Sequence, residues 1–303
     1  MQSKLRFFSW LFLLALGACS GSHFSMSQAD NATAEGHGIA VLFAGGPVYK
    51  ARETSIPEIK NSGFTHLIVW TIHIEANGDL GFNGEFPLVK DGEYIGDAAY
   101  PQFRADMAAL KRGPGAIQRL EFALSAAGSG TYDHIRRLVT CSESQCGLGP
   151  ESVLYRNFAA LLSAFPGVDA ISNDDERVYD LATAVPFHAM LAGLGVKTSI
   201  APYTNNGFWA SFVKGLNLAQ PGSADLTYLQ VYDGGAGNDP CSWQLGIPVV
   251  PGFWSKYTEP NAAGARLKTW SERCQLAGGF LWLYDEVIGT RLVKDYASSL
   301  TGG

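Results

Sequence analysis

Charge is scarce in this 303-residue chain. Asp, Glu, Lys and Arg make up 17% of it, and the 28 acidic side chains outnumber the 22 basic ones, leaving a formal net charge of -6. Without a basic surplus there is no electrostatic case for binding nucleic acid. Nucleotide cradles are lacking too. No G-x-G-x-x-G spacing follows the first apolar run, where Gly45-Gly46-Pro47 would obstruct it, and no phosphate loop occurs. The six His are scattered and the Cys lack the close spacing of zinc ligands, so neither a metal nor another cofactor is expected. Internal repeats and an appended binding module are also absent from the sequence. Apolar residues, by contrast, reach 47% and aromatics 12%, with seven Trp. That composition suits a large globular core with rings to spare for stacking on flat ligand faces.

At the N-terminus, Lys4 and Arg6 precede an apolar stretch, residues 7–16, too short for a comfortable membrane span. Leu16-Gly17-Ala18-Cys19 resembles the lipobox of bacterial lipoproteins. The resemblance implies removal of residues 1–18 as a signal peptide and lipid attachment at Cys19; an ordinary signal peptide cut near Ala18 is the alternative. Ser20, in place of Asp after that Cys, favours the outer membrane of the cell envelope by analogy. Residues 19–37 are small and polar, without an apolar period, and read as a flexible tether to the remainder, residues 38–303. Four further cysteines, Cys141, Cys146, Cys241 and Cys274, form an even set in an exported chain, which favours disulfides. Three pairings are open. Cys141–Cys146 within one loop with Cys241–Cys274 across the last third is the preferred one.

From residue 38 onward, short apolar runs alternate with helix-like stretches. The runs cover 39–44, 66–74, 120–126, 168–174, 197–202, 227–232, 247–253 and 279–284. Several, such as Leu67-Ile68-Val69-Trp70, are nearly continuous, as strands covered on both faces require. Helical patterns cover 56–62, 102–112, 152–165, 178–194, 208–216, 261–274 and 291–300. This alternation predicts an α/β fold, a single-domain (β/α)8 TIM barrel, with a doubly wound open sheet as the alternative. The sixth helix is the weak point, because 234–246 is Gly-rich and short.

In such a barrel the active site lies at the C-terminal ends of the strands. Those ends carry His73 and Glu75, Ser125, Asp174 and Glu176, Tyr203 and Asn205, Gln230, Tyr232 and Asp233, Trp254, and finally Trp282, Tyr284, Asp285 and Glu286. Acids, hydroxyls and flat rings at one rim are what a carbohydrate site needs. The connection 75–100, rich in Gly and aromatics, is expected to wall one side of the cleft.

The fourth run is the most informative. In Asp169-Ala170-Ile171-Ser172-Asn173-Asp174-Asp175-Glu176, extended backbone turns Ser172, Asp174 and Glu176 to one face and Ile171, Asn173 and Asp175 to the other. Two carboxylates on one face can do acid chemistry, because the charge on one holds a proton on its neighbour. The plainer reading is an acidic loop capping a helix that starts near Val178.

This segment resembles the DxxDxDxE strand of glycoside hydrolase family 18, the chitinases and endo-β-N-acetylglucosaminidases, at three of four defining positions. Ser125-Ala126-Ala127-Gly128 is similar to that family's SxGG, Gln230-Val231-Tyr232-Asp233 to its (M/Q)xY(D/N), and Gly279-Phe280-Leu281-Trp282 to its Trp-bearing last strand. The resemblance implies a glycosidase that cleaves β-linked N-acetylglucosamine glycans with retention, the substrate's own acetamide oxygen acting as nucleophile through an oxazolinium intermediate. It implies Glu176 as the acid, Asp174 as the group that orients the 2-acetamido group and balances the oxazolinium charge, and Tyr232 as a hydrogen-bond partner of the same group. Trp282 would floor the site and Asp233 would assist beside the acetamido group or the sugar hydroxyls, with Gln230, Ser172 and Tyr203 among the substrate-binding residues. The partner would be an oligosaccharide or a glycoprotein glycan, and chitin, N-glycans and peptidoglycan all qualify.

The sequence also departs from that pattern. Ser172 stands where the family has Asp; it can hydrogen-bond Asp174 but cannot raise its pKa by like-charge repulsion. Asn173 and Asp175 occupy positions that are usually apolar or aromatic, so Asp175 must be paired, exposed or out of register. A one-residue slip would invert every face. Two rivals stay open: a non-catalytic sugar-binding barrel, and a barrel glycosidase with a second protein carboxylate such as Asp285. Trp70 and Trp270 read as structural, His73 as a rim residue, and Asp285 and Glu286 as caps of the last helix.

Overall fold

The structure, a computed structural model, describes residues 38–125 and 129–301. The signal-peptide and tether segments with Cys19, and Ala126-Ala127-Gly128 of the third-run motif, lie outside the described residues. Strand β1 (Ile39–Ala44) leads through α1 (Pro47–Lys50) and α2 (Arg52–Lys60) into β2 (His66–Ile74). A meander of β3 (Leu80–Phe82), β4 (Phe86–Lys90) and β5 (Glu93–Tyr94) precedes α3 (Phe103–Leu110) and β6 (Arg119–Ser125). Next come α4 (Thr131–Thr140), α5 (Val153–Ala164), β7 (Ala170–Asp174), α6 (Leu181–Gly193), β8 (Lys197–Ile200), α7 (Asn206–Ala219) and β9 (Ala224–Gln230). Two 3-10 turns, Asp233–Gly235 and Pro240–Ser242, fill the Gly-rich stretch before β10 (Val249–Trp254), and α8 (Pro260–Ser271), β11 (Gly278–Trp282) and α9 (Leu292–Leu300) complete the chain.

Eight strands, β1, β2 and β6–β11, pair in parallel and close on themselves, with β1 bonded to both β2 and β11. This is the (β/α)8 barrel that the alternation predicts. Alternate residues divide between two cores. On β1, Val41 and Phe43 point inward while Ala40, Leu42 and Ala44 pack under the helices. The inner core is small and apolar, with Ile68, Ala123, Leu226, Tyr228, Val250 and Phe280 as further members. Gly252 makes room for it: a Cβ there would stand 1.8 Å from the Phe280 ring.

Below this layer the barrel is filled by a charged group. Glu121, fully buried, accepts from Arg119 Nε (2.5 Å) and the Tyr228 hydroxyl (2.6 Å), and also from the Ser199 hydroxyl. Arg119 in turn grips both oxygens of Asp225 at 2.6 and 2.8 Å. A buried carboxylate persists only when its lone pairs are met in this way.

Three sequence expectations are corrected. The helix α4 is unanticipated, because its four charged or imidazole side chains mask an apolar row of Tyr132, Ile135 and Leu138 at three-residue spacing. The connection 75–100 does not wall the cleft; among the described residues none of it lines the central cavity. It pairs with the projecting end of β2, and Phe82 and Phe86 pack edge-on against Tyr49 at 5.6 and 5.4 Å. Asp285 and Glu286 lie in a separate 3-10 turn and do not cap α9. The preferred disulfide pairing is the one present, Cys141–Cys146 and Cys241–Cys274. No helix among the described residues is long and apolar enough to cross a membrane.

Candidate active site

All five residues of β7 are buried, polar ones included. Register with β6 sets Ser172 level with Ala123 inside the barrel and Asp174 level with Ser125 at the mouth. No slip has occurred, since Asp174 and Glu176 both line the central cavity. The plainer reading of this segment as a helix cap belongs to other residues: Asp180 caps α6 by accepting from Ala182 N at 3.0 Å.

Asp175 is 2% exposed and faces away from the cavity. Its Oδ1 accepts from the backbone N–H of Arg177 (2.9 Å) and Val178 (2.8 Å), and its Oδ2 from that of Tyr179 (2.8 Å). Three such bonds stabilise the charge, and they fix the turn that carries Glu176. Asn173 Oδ1 completes the turn by accepting from Asp175 N at 3.2 Å.

Asp174 and Glu176 are joined by one amide. Gln230 Nε2 donates to Asp174 Oδ1 at 3.2 Å and Glu176 Oε1 at 3.0 Å, and lies 3.0 Å from the Ala201 carbonyl. From behind, the buried Tyr132 hydroxyl accepts from Asp174 N (2.8 Å) and donates to Leu124 O (2.9 Å), tying α4 to the end of β7. Burial, reinforced by the charges of Glu176 and Asp175, holds the Asp174 carboxyl well above the usual range. Tyr232 is likewise raised, first by burial and then by Asp174, Glu176 and Asp233, so it stays a hydroxyl donor.

The cavity these groups line is about 330 Å³. Trp282 lines it, with Trp70 edge-on at 5.3 Å and Phe43 at 5.6 Å. Tyr232 meets Trp254 at 5.8 Å. Of the residues expected from the sequence, Asp174, Glu176, Tyr203, Gln230, Tyr232, Asp233 and Trp282 all line this one cavity. Ser172 does not. It is fully buried one inward step down β7, and its hydroxyl has no hydrogen-bond partner among the described residues, so it does not reach Asp174.

Trp70 corrects a second expectation, since it lines the cavity instead of serving the core alone. The signal was available: Trp70 shares its strand face with Ile68 and stands one inward position nearer the mouth. Trp254 was legible as a strand end, whereas Tyr132 was hidden with its helix. Asp285 is excluded as a partner acid for Glu176, because its Oδ2 accepts from Gly45 N at 2.8 Å and it does not line the cavity. Glu286 accepts from Trp254 Nε1 at 2.9 Å and from Ser255 Oγ at 2.5 Å.

The sequence matches no protein-family model and no curated protein. The fold matches many solved structures. A chitinase from Bacteroides thetaiotaomicron has a TM-score of 0.58 at 12% identity, over 88% of this chain and 97% of that one. A family 18 chitinase from Cycas revoluta, solved with (GlcNAc)3, has a TM-score of 0.58 at 10% identity, over 86% of this chain and 99% of that one. The spore cortex-lytic enzyme SleL of Bacillus megaterium has a TM-score of 0.56 at 11% identity, over 87% and 74%. At these identities the likeness establishes the barrel fold that this chain shares with family 18 chitinases.

Proposed function

We propose that this protein is a glycoside hydrolase of family 18 type, cleaving β-linked glycans that contain N-acetylglucosamine, with retention. The observation that carries the proposal is the convergence of Asp174, Glu176, Tyr232 and Trp282 on one cavity. The chitinase neighbours, one of them solved with (GlcNAc)3, support the choice of substrate.

On this reading the sugar's ring lies on Trp282, and its 2-acetamido group lies between Asp174 and Tyr232. The Glu176 carboxyl gives its proton to the glycosidic oxygen as the C1–O bond breaks, while the acetamide oxygen forms a bond to C1 from the opposite face. Tyr232 O–H steadies that oxygen and Asp174 accepts the acetamide N–H, balancing the charge of the oxazolinium ring. Water then attacks C1, giving its proton to the Glu176 carboxylate, and the ring reopens. In the cell the enzyme would sit on a lipid-anchored tether in the bacterial envelope, as the Cys19 motif suggests.

Rates on N-acetylglucosamine oligomers and glycoproteins test the proposal. Glu176→Gln is expected to lower kcat by roughly 10²–10⁴-fold; equal rates for wild type and variant would sink it. Oligomers without the 2-acetamido group are expected to remain intact. The rival, a sugar-binding barrel without turnover, draws support from Ser172, whose hydroxyl leaves Asp174 without a hydrogen-bonded neighbour beneath it. Calorimetric binding of oligomers with no release of products would decide for that rival.

A further inference from the structure

The first turn of α4 takes hold of three barrel strands at their mouth ends. Thr131 Oγ1 accepts from Ile74 N at 3.2 Å and His134 Nδ1 donates to Ile74 O at 2.7 Å, so both backbone groups of the last residue of β2 end on this helix. Between these two, Tyr132 reaches β6 and β7. Its hydroxyl donates to Leu124 O at 2.9 Å and accepts from Asp174 N at 2.8 Å. A phenol has one hydrogen to give, and here Leu124 takes it. Tyr132 is 5% exposed and does not line the cavity, so it meets Asp174 from behind, through the backbone. Little else holds Asp174. The Ser172 hydroxyl below it has no hydrogen-bond partner, and among the described residues the Asp174 side chain is bonded to Gln230 alone.

We infer that Tyr132 is a positioning residue for the proposed hydrolysis: its hydroxyl, acting from outside the cavity, sets where the Asp174 carboxyl stands against Gln230 and Glu176. This inference rests on the function proposed above. Tyr132 lies in none of the four motif segments that carry the family resemblance. Pairing of β7 with β8 stops at Asn173, so Asp174 is steadied on its β6 side, where the hydroxyl sits. With Phe in place of Tyr132, the Asp174 N–H and the Leu124 carbonyl would both lose a partner in a buried place, which is costly. They recover only by approaching one another. That movement draws Asp174 toward β6 and away from Gln230, which stands on β9 beyond the opposite edge of β7. The amide that joins Asp174 to Glu176 at 3.2 and 3.0 Å then loses its grip. A misplacement of about 1 Å at a reacting group can cost roughly 10²-fold in rate.

Steady-state kinetics on N-acetylglucosamine oligomers test the role, comparing wild type, Tyr132→Phe and Ile135→Val at a temperature where circular dichroism shows all three folded. Tyr132→Phe is expected to lower kcat roughly 10–10²-fold with KM held within about twofold. Ile135→Val, which trims the same buried face of α4, is expected to lower the melting temperature and leave kcat alone. In an Asp174→Asn background, Tyr132→Phe is expected to cost little more, because the group it positions is already disabled. Unchanged kcat in Tyr132→Phe, an equal loss in Ile135→Val, or full additivity with Asp174→Asn overturns the positioning role and leaves the proposed function standing. A wild type that releases no product from the oligomers overturns the proposed function, and this role with it.

Discussion

Three acids crowd the end of β7, and only two of them can share the chemistry. Asp175 is removed from it by three backbone N–H groups, a solution that sequence parity could demand but not describe. Its neighbour Asp174 has no such relief. Its carboxyl is raised by burial and by the adjacent acids, so the folded protein holds this proton more tightly than the unfolded chain, whose value is near 3.8. The resulting contribution to stability is complete below that value and is lost as pH rises through the folded one. Asp174→Asn removes the ionisation and keeps an oxygen for Gln230. The variant is expected to melt above wild type at pH 7, with the advantage vanishing near pH 3, while hydrolysis falls roughly 100-fold or more. Thermal melts across that pH range, paired with rates, check both halves. Ser172 stands apart from this group: the residue that most weakened the sequence resemblance has no contact with the cavity.

Elements were legible in proportion to how apolar they are. The runs at β1, β2 and β11 announce themselves because both faces of each strand meet hydrophobic layers. The meander β3–β5 and helix α4 were missed, since they read as Gly-rich loop and as charge, and their burial depends on partners distant in sequence. The cost was one site residue, Tyr132. A glycine's purpose is equally invisible until its neighbour is known. Gly252 in β10 exists so that the Phe280 ring of β11 can cross the interior beneath Tyr232, 6.1 Å away. Gly252→Ala forces that ring to move and is expected to destabilise the fold by about 1–3 kcal/mol. Urea unfolding measures the loss.

For the whole molecule, alternation of runs and helices identified the barrel, and the barrel then told which strand ends share a rim. What composition could not convey is how the interior tolerates polar groups. Two buried histidines illustrate it. Burial pushes His66 down to about 4 and His188 to about 3, so both are neutral in the folded protein. Between pH 6.5 and those values the unfolded chain binds the extra protons, and stability therefore falls as pH falls. Asp174 acts in the opposite sense. The melting temperature is expected to drop from pH 6.5 toward pH 4, and His188→Gln, which cannot take up the proton, is expected to flatten the slope.

The closed base of the barrel has a bearing on traffic. With Tyr228 and the Glu121 group filling the interior below the cavity, nothing can be threaded from one end of the barrel to the other. On the proposed function, a glycan reaches the acids by dipping one ring through the mouth while its neighbours stay in solvent. The doorway that admits the substrate is also the one by which the fragments leave, so each turnover has to clear the entrance before the next can begin.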